Sequence, residues 1–215
     1  IGMGLNTFFF RVDSSQKIGS GHLMRCLTLA NRLREIGAEC TFVCRALNGN
    51  LNRLILSGGF SLVELPRPDT AFVKSGDSEP LHSDWREVSW KIDAMETTRA
   101  LSGKNAGWLI VDHYGIWKDW QLVVKDYVGK IMVIDDLADR KHYCDVLLDQ
   151  NLGSDISLYE KLVPNTCKTF FGPKYALVRP EFAAWRSSSL ERRKDGRLKN
   201  ILINFGGGDS EDYIT

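Results

Sequence analysis

Hydrophobic and polar residues follow one another along the chain in blocks that predict strands and helices in turn. Short runs that are almost wholly apolar predict buried strands at Thr7–Val12, Glu39–Cys44, Ser61–Leu65, Trp108–Asp112, Lys130–Ile134 and Val146–Leu148. Apolar residues at helical spacing predict helices from Gly21 to a stop at Gly37, and at Leu51–Ser57, Asp84–Leu101, Trp117–Tyr127 and Pro180–Ser189. Strands and helices that alternate in this way indicate an α/β fold with a parallel sheet and helices on both of its faces.

A polar, charged stretch near the end of the sequence predicts a domain boundary. We expect a first domain over 5–190 and a linker over 191–199. An apolar run at Asn200–Phe205, followed by a glycine-rich turn, then predicts the strand that begins a second domain, 200–215. Because the sequence stops at Thr215, we expect it to hold only the start of that domain.

Composition and charge exclude several classes of protein. The 215 residues are 43% hydrophobic and 26% charged, which is typical of a globular protein. With 28 basic and 27 acidic residues the net charge is +1, so the one-sided basic surface of a nucleic-acid-binding protein is not expected. The five cysteines form no Cys-x-x-Cys pair, and no apolar stretch approaches the roughly 20 residues that span a bilayer. These features predict a cytoplasmic protein without membrane insertion.

The segment between the first strand and its helix is a candidate anion site. Gly19, Ser20 and Gly21 stand where unpaired N–H groups and the positive end of the helix dipole favour a phosphate, with Ser20 as the predicted N-cap. The dinucleotide fingerprint is incomplete, because Met24 stands where a third glycine is expected and the second strand leads to Arg45 instead of an acidic residue. The phosphate-binding Gly-Lys-Ser or Gly-Lys-Thr is also missing. Hydride transfer and nucleoside triphosphate hydrolysis are therefore disfavoured.

His22 is the candidate general base. It falls in the first turn of the predicted helix, where the helix dipole opposes an imidazolium and favours the neutral ring that a base requires. The alternative is a histidine that only packs or forms a hydrogen bond at a turn, and position alone does not decide between the two.

Aspartates follow several of the predicted strands, at the edge where parallel sheets bind their ligands; they are Asp13, Asp112, Asp135, Asp136 and Asp149. We expect one or two side chains of Asp112, His113 and Tyr114 to face the same crevice as His22, with Tyr114 placed to orient a sugar hydroxyl. The alternative is that Asp112 caps the next helix and Tyr114 covers the edge of the core.

Asp135 and Asp136, with Arg140 and His142, form a charged loop that has two interpretations. It is either a sugar-binding loop or a turn of mutually satisfied ion pairs, and composition favours the second. A metal ion at Asp135 and Asp136 would need more oxygen ligands than the loop offers, so no metal site is predicted.

Sequence motifs distributed along the chain resemble those of a known enzyme family. They are Arg11-Val12-Asp13, Ile18–Leu27, Val111–Gly115, Ile134–Asp136, Cys144–Asn151, Gly172–Phe182 and Phe205–Asp209. Together they resemble the PseG family of UDP-sugar hydrolases of pseudaminic acid biosynthesis, which is similar to the MurG glycosyltransferase. The resemblance implies a Rossmann-like N-terminal domain of a two-domain GT-B fold, with the C-terminal nucleotide-binding domain mostly missing from these residues.

The family resemblance also implies a reaction. Water would attack the anomeric carbon of UDP-2,4-diacetamido-2,4,6-trideoxy-β-L-altropyranose, with inversion and without metal or cofactor, and release UDP and the free sugar. By the resemblance His22 is the base and Tyr114 is a sugar-site tyrosine, so both are predicted catalytic residues. Activity is expected of the protein that includes the rest of the second domain. The alternatives are a glycosyltransferase of the same architecture and a non-catalytic nucleotide-sugar binding module.

The remaining predicted site residues are grouped by ligand. The substrate-binding group consists of Arg11, Asp13, Gly19, Ser20, Gly21, Arg25, Asp112, His113, Asp135, Asp136, Tyr175 and Arg179. The nucleotide-binding group consists of Gly206, Gly207, Gly208 and Asp209. The only partner predicted is the UDP-activated diacetamido sugar itself.

Overall fold

A computed structural model of the protein describes residues 4–68, 79–198 and 200–203. Within these residues the sheet has seven parallel strands in the order β3-β2-β1-β4-β5-β6-β7. The strands are β1 Gly4–Val12, β2 Glu39–Arg45, β3 Ser61–Leu65, β4 Ala106–Asp112, β5 Val128–Ile134, β6 Val146–Asp149 and β7 Lys168–Phe171. The helices are α1 Gly21–Glu35, α2 Asn52–Ser57, α3 Trp90–Leu101, α4 Lys118–Val124, α5 Ile156–Tyr159 and α6 Pro180–Arg192. The predicted Rossmann-like α/β fold is confirmed.

Apolar residues on the two faces of the sheet form two separate cores. Neighbouring residues of a strand point to opposite faces, so Phe9 lies in one core with Trp120 of α4, whereas Phe10 lies in the other with Leu23 of α1 and Ile55 of α2. Helices therefore cover both faces of the sheet, as the continuous apolar strands predict.

The strand order places a crevice at the centre of the sheet. The chain runs outward from β1 through β2 to β3, then returns to β4 on the other side of β1, with Val12 beside Asp112 at their carboxyl ends. The connections after β1 and β4 consequently leave the sheet in opposite directions, which opens a ligand-binding crevice between them.

Helix α1 begins and ends as predicted, but its first turn lacks the predicted side-chain cap. Ser20 occupies the N-cap position without forming a side-chain hydrogen bond to the helix. At the other end Gly37 has φ +84°, and the N–H groups of Gly37 and Ala38 donate to the carbonyls of Arg34 and Leu33. The uncapped first turn leaves backbone N–H groups of α1 open towards the crevice.

The predicted helix Asp84–Leu101 is wrong in its first half. Ser83–Arg86 form a 3-10 turn, Glu87 adopts a left-handed conformation, and α3 begins only after Ser89, whose hydroxyl accepts from the Ile92 N–H. The hydrogen bond from the Ile92 N–H to the Ser89 hydroxyl therefore starts a new helix at this point, and the predicted helix does not extend back to Asp84.

Three elements have no counterpart in the sequence-based prediction: α5, β7 and the 3-10 turn Pro173–Tyr175. Strand β7 is a partly exposed edge strand, so it lacks the apolar run that marks the central strands.

The domain boundary stays a prediction. Helix α6 continues to Arg192, into the predicted linker, and none of its residues is buried. Residues 200–203 form no strand, and the rest of the predicted strand lies outside the described residues, as do Gly206, Gly207, Gly208 and Asp209. None of the described helices is long and apolar enough to cross a membrane.

Candidate active site

The crevice at the carboxyl edge of the sheet has a volume of about 640 Å³. Its walls include His22, Arg25, Trp85, Tyr114, Gln150 and Arg179. A larger cavity of about 940 Å³ runs alongside, between α1, α2 and residues 176–181, but His22 and Tyr114 do not line it. The candidate base and the candidate sugar-site tyrosine therefore belong to the smaller crevice.

His22 and Asp112 form a buried pair in this crevice. The His22 Nδ1 lies 2.5 Å from Asp112 Oδ1, and the carboxylate has no exposed surface. Burial alone would raise the pKa of Asp112, but the charges of His22 and Arg25 outweigh it and hold that pKa well below its usual range. An ionised carboxylate only accepts hydrogen bonds, so Nδ1 is the donor and Nε2 is the ring nitrogen left to act on a ligand. The alternative that Asp112 caps the next helix is wrong, because α4 begins at Lys118.

Arg25 connects two carboxylates of the site. It lies one helical turn after His22 on α1, and its Nε and Nη2 donate to Asp112 at 2.6 and 2.7 Å. Its Nη1 donates to Asp136 at 3.0 Å. The guanidinium is thereby engaged by two carboxylates, so Arg25 stabilises the site and is not an unpaired cation that awaits an anionic ligand.

Tyr114 and two further aromatic side chains form one wall of the crevice. The Tyr114 ring meets His22 edge-on at 4.5 Å, and its hydroxyl donates to Asp136. Burial and the neighbouring Asp136 raise the pKa of Tyr114, so the hydroxyl stays protonated. Trp85 stacks on Tyr114 at 5.2 Å, and His82 packs against both rings. Sequence reasoning missed Trp85 because it follows a polar loop and carries no motif.

Arg11, Asp13 and His113 are not among the residues that line the crevice; they belong to a buried network beneath it. Arg11 donates to Asp13 and to Asp93, both at 2.6 Å. Burial would raise the pKa of Asp93, but the arginine charges around it, Arg11 first, lower that pKa to about 2. His113 lies 3.3 Å from Asp13, and burial lowers the pKa of the imidazole. All have almost no exposed surface, so the structure gives them the position of supports instead of the predicted contact with substrate.

Asp135 and Asp136 are neighbours in sequence with different positions. Asp135 is buried, pairs with Arg140 at 2.7 Å and accepts from the Tyr159 hydroxyl at 3.0 Å, which is the ion-pair alternative. Asp136 instead accepts hydrogen bonds from two residues that line the crevice, Arg25 and Tyr114. Asp135 therefore fits the ion-pair turn, whereas Asp136 lies beside residues of the candidate sugar site.

Of the other predicted substrate-binding residues, some line the crevice and some do not. Gly21 and Arg179 line the crevice, and a Cβ added to Gly21 would meet no atom within 4 Å, so space above the first turn of α1 is open. Gly19 closes the preceding turn with φ +78°, and its N–H donates to Ser15. Tyr175 packs against Phe170 and is not among the lining residues. Within the part of the chain that the structure describes, no group of three His, Cys, Asp or Glu side chains is arranged to hold a metal ion.

Fold and site together define a Rossmann-like α/β domain with a histidine–carboxylate pair in the crevice at the centre of its sheet. No protein-family model matches the chain. The chain is 32% identical over 201 residues to the UDP-2,4-diacetamido-2,4,6-trideoxy-β-L-altropyranose hydrolase of Campylobacter jejuni, a match that covers 93% of this chain and 60% of that protein. The predicted resemblance to this type of hydrolase is confirmed.

Two further proteins are similar to the chain. A protein of Methanocaldococcus jannaschii described as uncharacterized is 26% identical over 200 residues, which cover 92% of this chain and 36% of that protein. Among solved structures, MurG of Acinetobacter baumannii matches 76% of this chain and 44% of its own, with 9% identity and a TM-score of 0.47. The chain thus spans less than two thirds of the length of the relatives that it matches.

Proposed function

We propose that the protein hydrolyses UDP-2,4-diacetamido-2,4,6-trideoxy-β-L-altropyranose to UDP and the free sugar, a step of pseudaminic acid biosynthesis in the cytoplasm. The observation that carries the proposal is the contact between His22 and Asp112 in the wall of the crevice, 2.5 Å long. The similarity to the Campylobacter hydrolase over 93% of the chain supports the substrate. As proposed, residues 5–190 form a sugar-binding domain of a GT-B protein, and 191–199 link it to the nucleotide-binding domain that begins at 200.

His22 is the general base of the proposed reaction. Asp112 fixes the ring through Nδ1, which leaves the Nε2 lone pair towards the crevice, and the carboxylate stabilises the imidazolium that forms when Nε2 takes a proton. Tyr114 restricts the ring from the side at 4.5 Å, so the base has a defined orientation before substrate binds.

The proposed chemistry is a single displacement at the anomeric carbon. As a water oxygen bonds to this carbon, His22 Nε2 accepts the water proton, and the bond from carbon to the diphosphate oxygen breaks with its electron pair going to UDP. Attack opposite the leaving group inverts the anomeric configuration. The open N–H groups at the start of α1, beside Gly21, are placed to receive negative charge of the diphosphate. In the proposal Gly206, Gly207, Gly208 and Asp209 add nucleotide contacts from the second domain.

The proposal is tested with the full-length protein in water labelled with a heavy oxygen isotope. Phosphorus NMR should show UDP release without an acceptor, and mass spectrometry should find the label in the sugar and not in UDP. His22→Gln should lower kcat by about 10²–10⁴-fold and leave UDP binding unchanged. Release only in the presence of an acceptor would instead indicate a glycosyltransferase, and binding without release would indicate a binding module.

A further inference from the structure

Gln150 is a crevice residue that the proposed mechanism does not use. It directly follows Asp149, the last residue of β6, and so lies at the same edge of the sheet as His22 and Tyr114, with which it lines the crevice. It is half-buried, and it lies in the motif Cys144–Asn151, although the sequence predicted no role for it.

One hydrogen bond fixes which way the Gln150 carboxamide points. Its Oε1 accepts from the backbone N–H of Leu177 at 2.9 Å. The reversed amide would oppose two donors, so this contact selects the orientation. Among the described residues Nε2 has no hydrogen-bond partner, and it is not a buried atom. Gln150 therefore offers two neutral donors to the crevice.

The charged groups around Tyr114 are paired with one another. Asp112 and Asp136 share Arg25, and Asp136 also accepts from Tyr114. With two carboxylates on its guanidinium, Arg25 is not free to bind a diphosphate, so among the lining residues that role falls to Arg179. The apolar side chains that line the crevice beside these groups include Trp85, Ile18 and Leu177. A neutral acceptor that carries a small apolar substituent fits this combination, and an acylamino carbonyl with its methyl group has that form.

We propose that Gln150 binds substrate by donating from Nε2 to the carbonyl oxygen of an acylamino group on the sugar. This inference rests on the proposed function, because it assigns the recognition of an acetamido substituent within that site. It makes Gln150 a specificity-determining residue: a sugar with a hydroxyl or a free ammonium in place of the acylamino group loses this acceptor.

The test uses Gln150→Glu in the full-length protein. The variant keeps the oxygen that accepts from Leu177 and replaces only the donating NH₂ by a negatively charged oxygen. Gln16→Glu is the matched control, because Gln16 is exposed outside the crevice and its Oε1 likewise accepts a hydrogen bond, from Asn48 at 3.2 Å. We expect Gln150→Glu to raise KM for the diacetamido UDP-sugar by about tenfold or more, with kcat changed by less than about threefold and inhibition by UDP unchanged. The control should match the wild type in all three.

Two results would overturn this inference. An unchanged KM would show that Nε2 meets no substrate acceptor, and an equal loss of UDP inhibition would assign the donor to the nucleotide. If the wild type releases no UDP, the proposed function fails, but calorimetric titration with the free 2,4-diacetamido sugar still decides on Gln150. Binding by the wild type that is weakened in Gln150→Glu would then support the donor, and equal or absent binding in both would refute it.

Discussion

Replacement of Asp112 by asparagine separates an active histidine–carboxylate pair from a structural one. The amide has the shape of the carboxylate but carries no charge and has only one accepting oxygen. In the wild type the two oxygens accept from His22 Nδ1 at 2.5 Å and from Arg25 at 2.6 and 2.7 Å, with no exposure to solvent. An asparagine at this position must direct its NH₂ group at one of these donors.

Two magnitudes follow from this geometry. If Asp112 orients His22 and stabilises its protonated form, kcat should fall by about 10²–10⁴-fold, the range that a positioned base contributes. Removal of one partner from a buried ion pair costs about 3–5 kcal/mol. At about 2–4 °C per kcal/mol for a domain of about this size, the unfolding transition of this domain should move down by about 6–20 °C.

The assay combines steady-state UDP release with thermal unfolding of the full-length protein. Asp84→Asn is the matched control, because Asp84 pairs with Lys17 where both side chains are exposed, by 39% and 54%. That pair should contribute less than about 1 kcal/mol and leave kcat unchanged. If Asp112→Asn lowers the unfolding temperature as expected but keeps kcat within about threefold of the wild type, the role of Asp112 is structural. The carboxylate would then contribute nothing to the proposed base.

Two further predictions concern the supports of the crevice. Asp93 has a pKa of about 2 in the folded protein, held down against burial by Arg11 and Arg45, so its stabilising contribution of about 2 kcal/mol is complete above about pH 4 and is lost as the pH falls towards 2. Urea unfolding across that interval should show that the free energy of unfolding depends less on pH in Asp93→Asn than in the wild type. Equal pH dependences would show that Asp93 does not contribute to the loss of stability in acid. Gly115→Ala should destabilise the fold by about 1–3 kcal/mol, because its Cβ would lie 2.7 Å from the His82 carbonyl oxygen; an unchanged urea midpoint would show that the loop adjusts freely.

The sequence was sufficient for the elements that carry a strong local signal. The central strands β2 and β4 are buried along most of their length, so each appears as a nearly continuous hydrophobic run. Helix α1 has both regular apolar spacing and a glycine at its end, and the structure agrees with it closely. The aspartate that ends β4 and the histidine that opens α1 could be expected at one edge, because parallel strands share their carboxyl ends.

Other features depended on contacts that no local pattern encodes. Strand β7 and the beginning of α3 were missed since an edge strand and a capped turn have weak signals. Trp85 and Gln150 come from distant parts of the chain and line the same crevice as His22 only because of the strand order.

Sequence patterns were enough to predict the type of fold, the candidate site residues and the edge of the sheet where several of them gather. The folded structure was needed to show which of them line the crevice: His22 and Tyr114 do, whereas Asp135 and the motif residues Arg11 and Asp13 are buried in ion pairs. The physical reason is that hydrophobic periodicity is local, whereas the pairing of charges follows from the order of strands and from desolvation. Residues 90 positions apart, as His22 and Asp112 are, meet only when the sheet is complete.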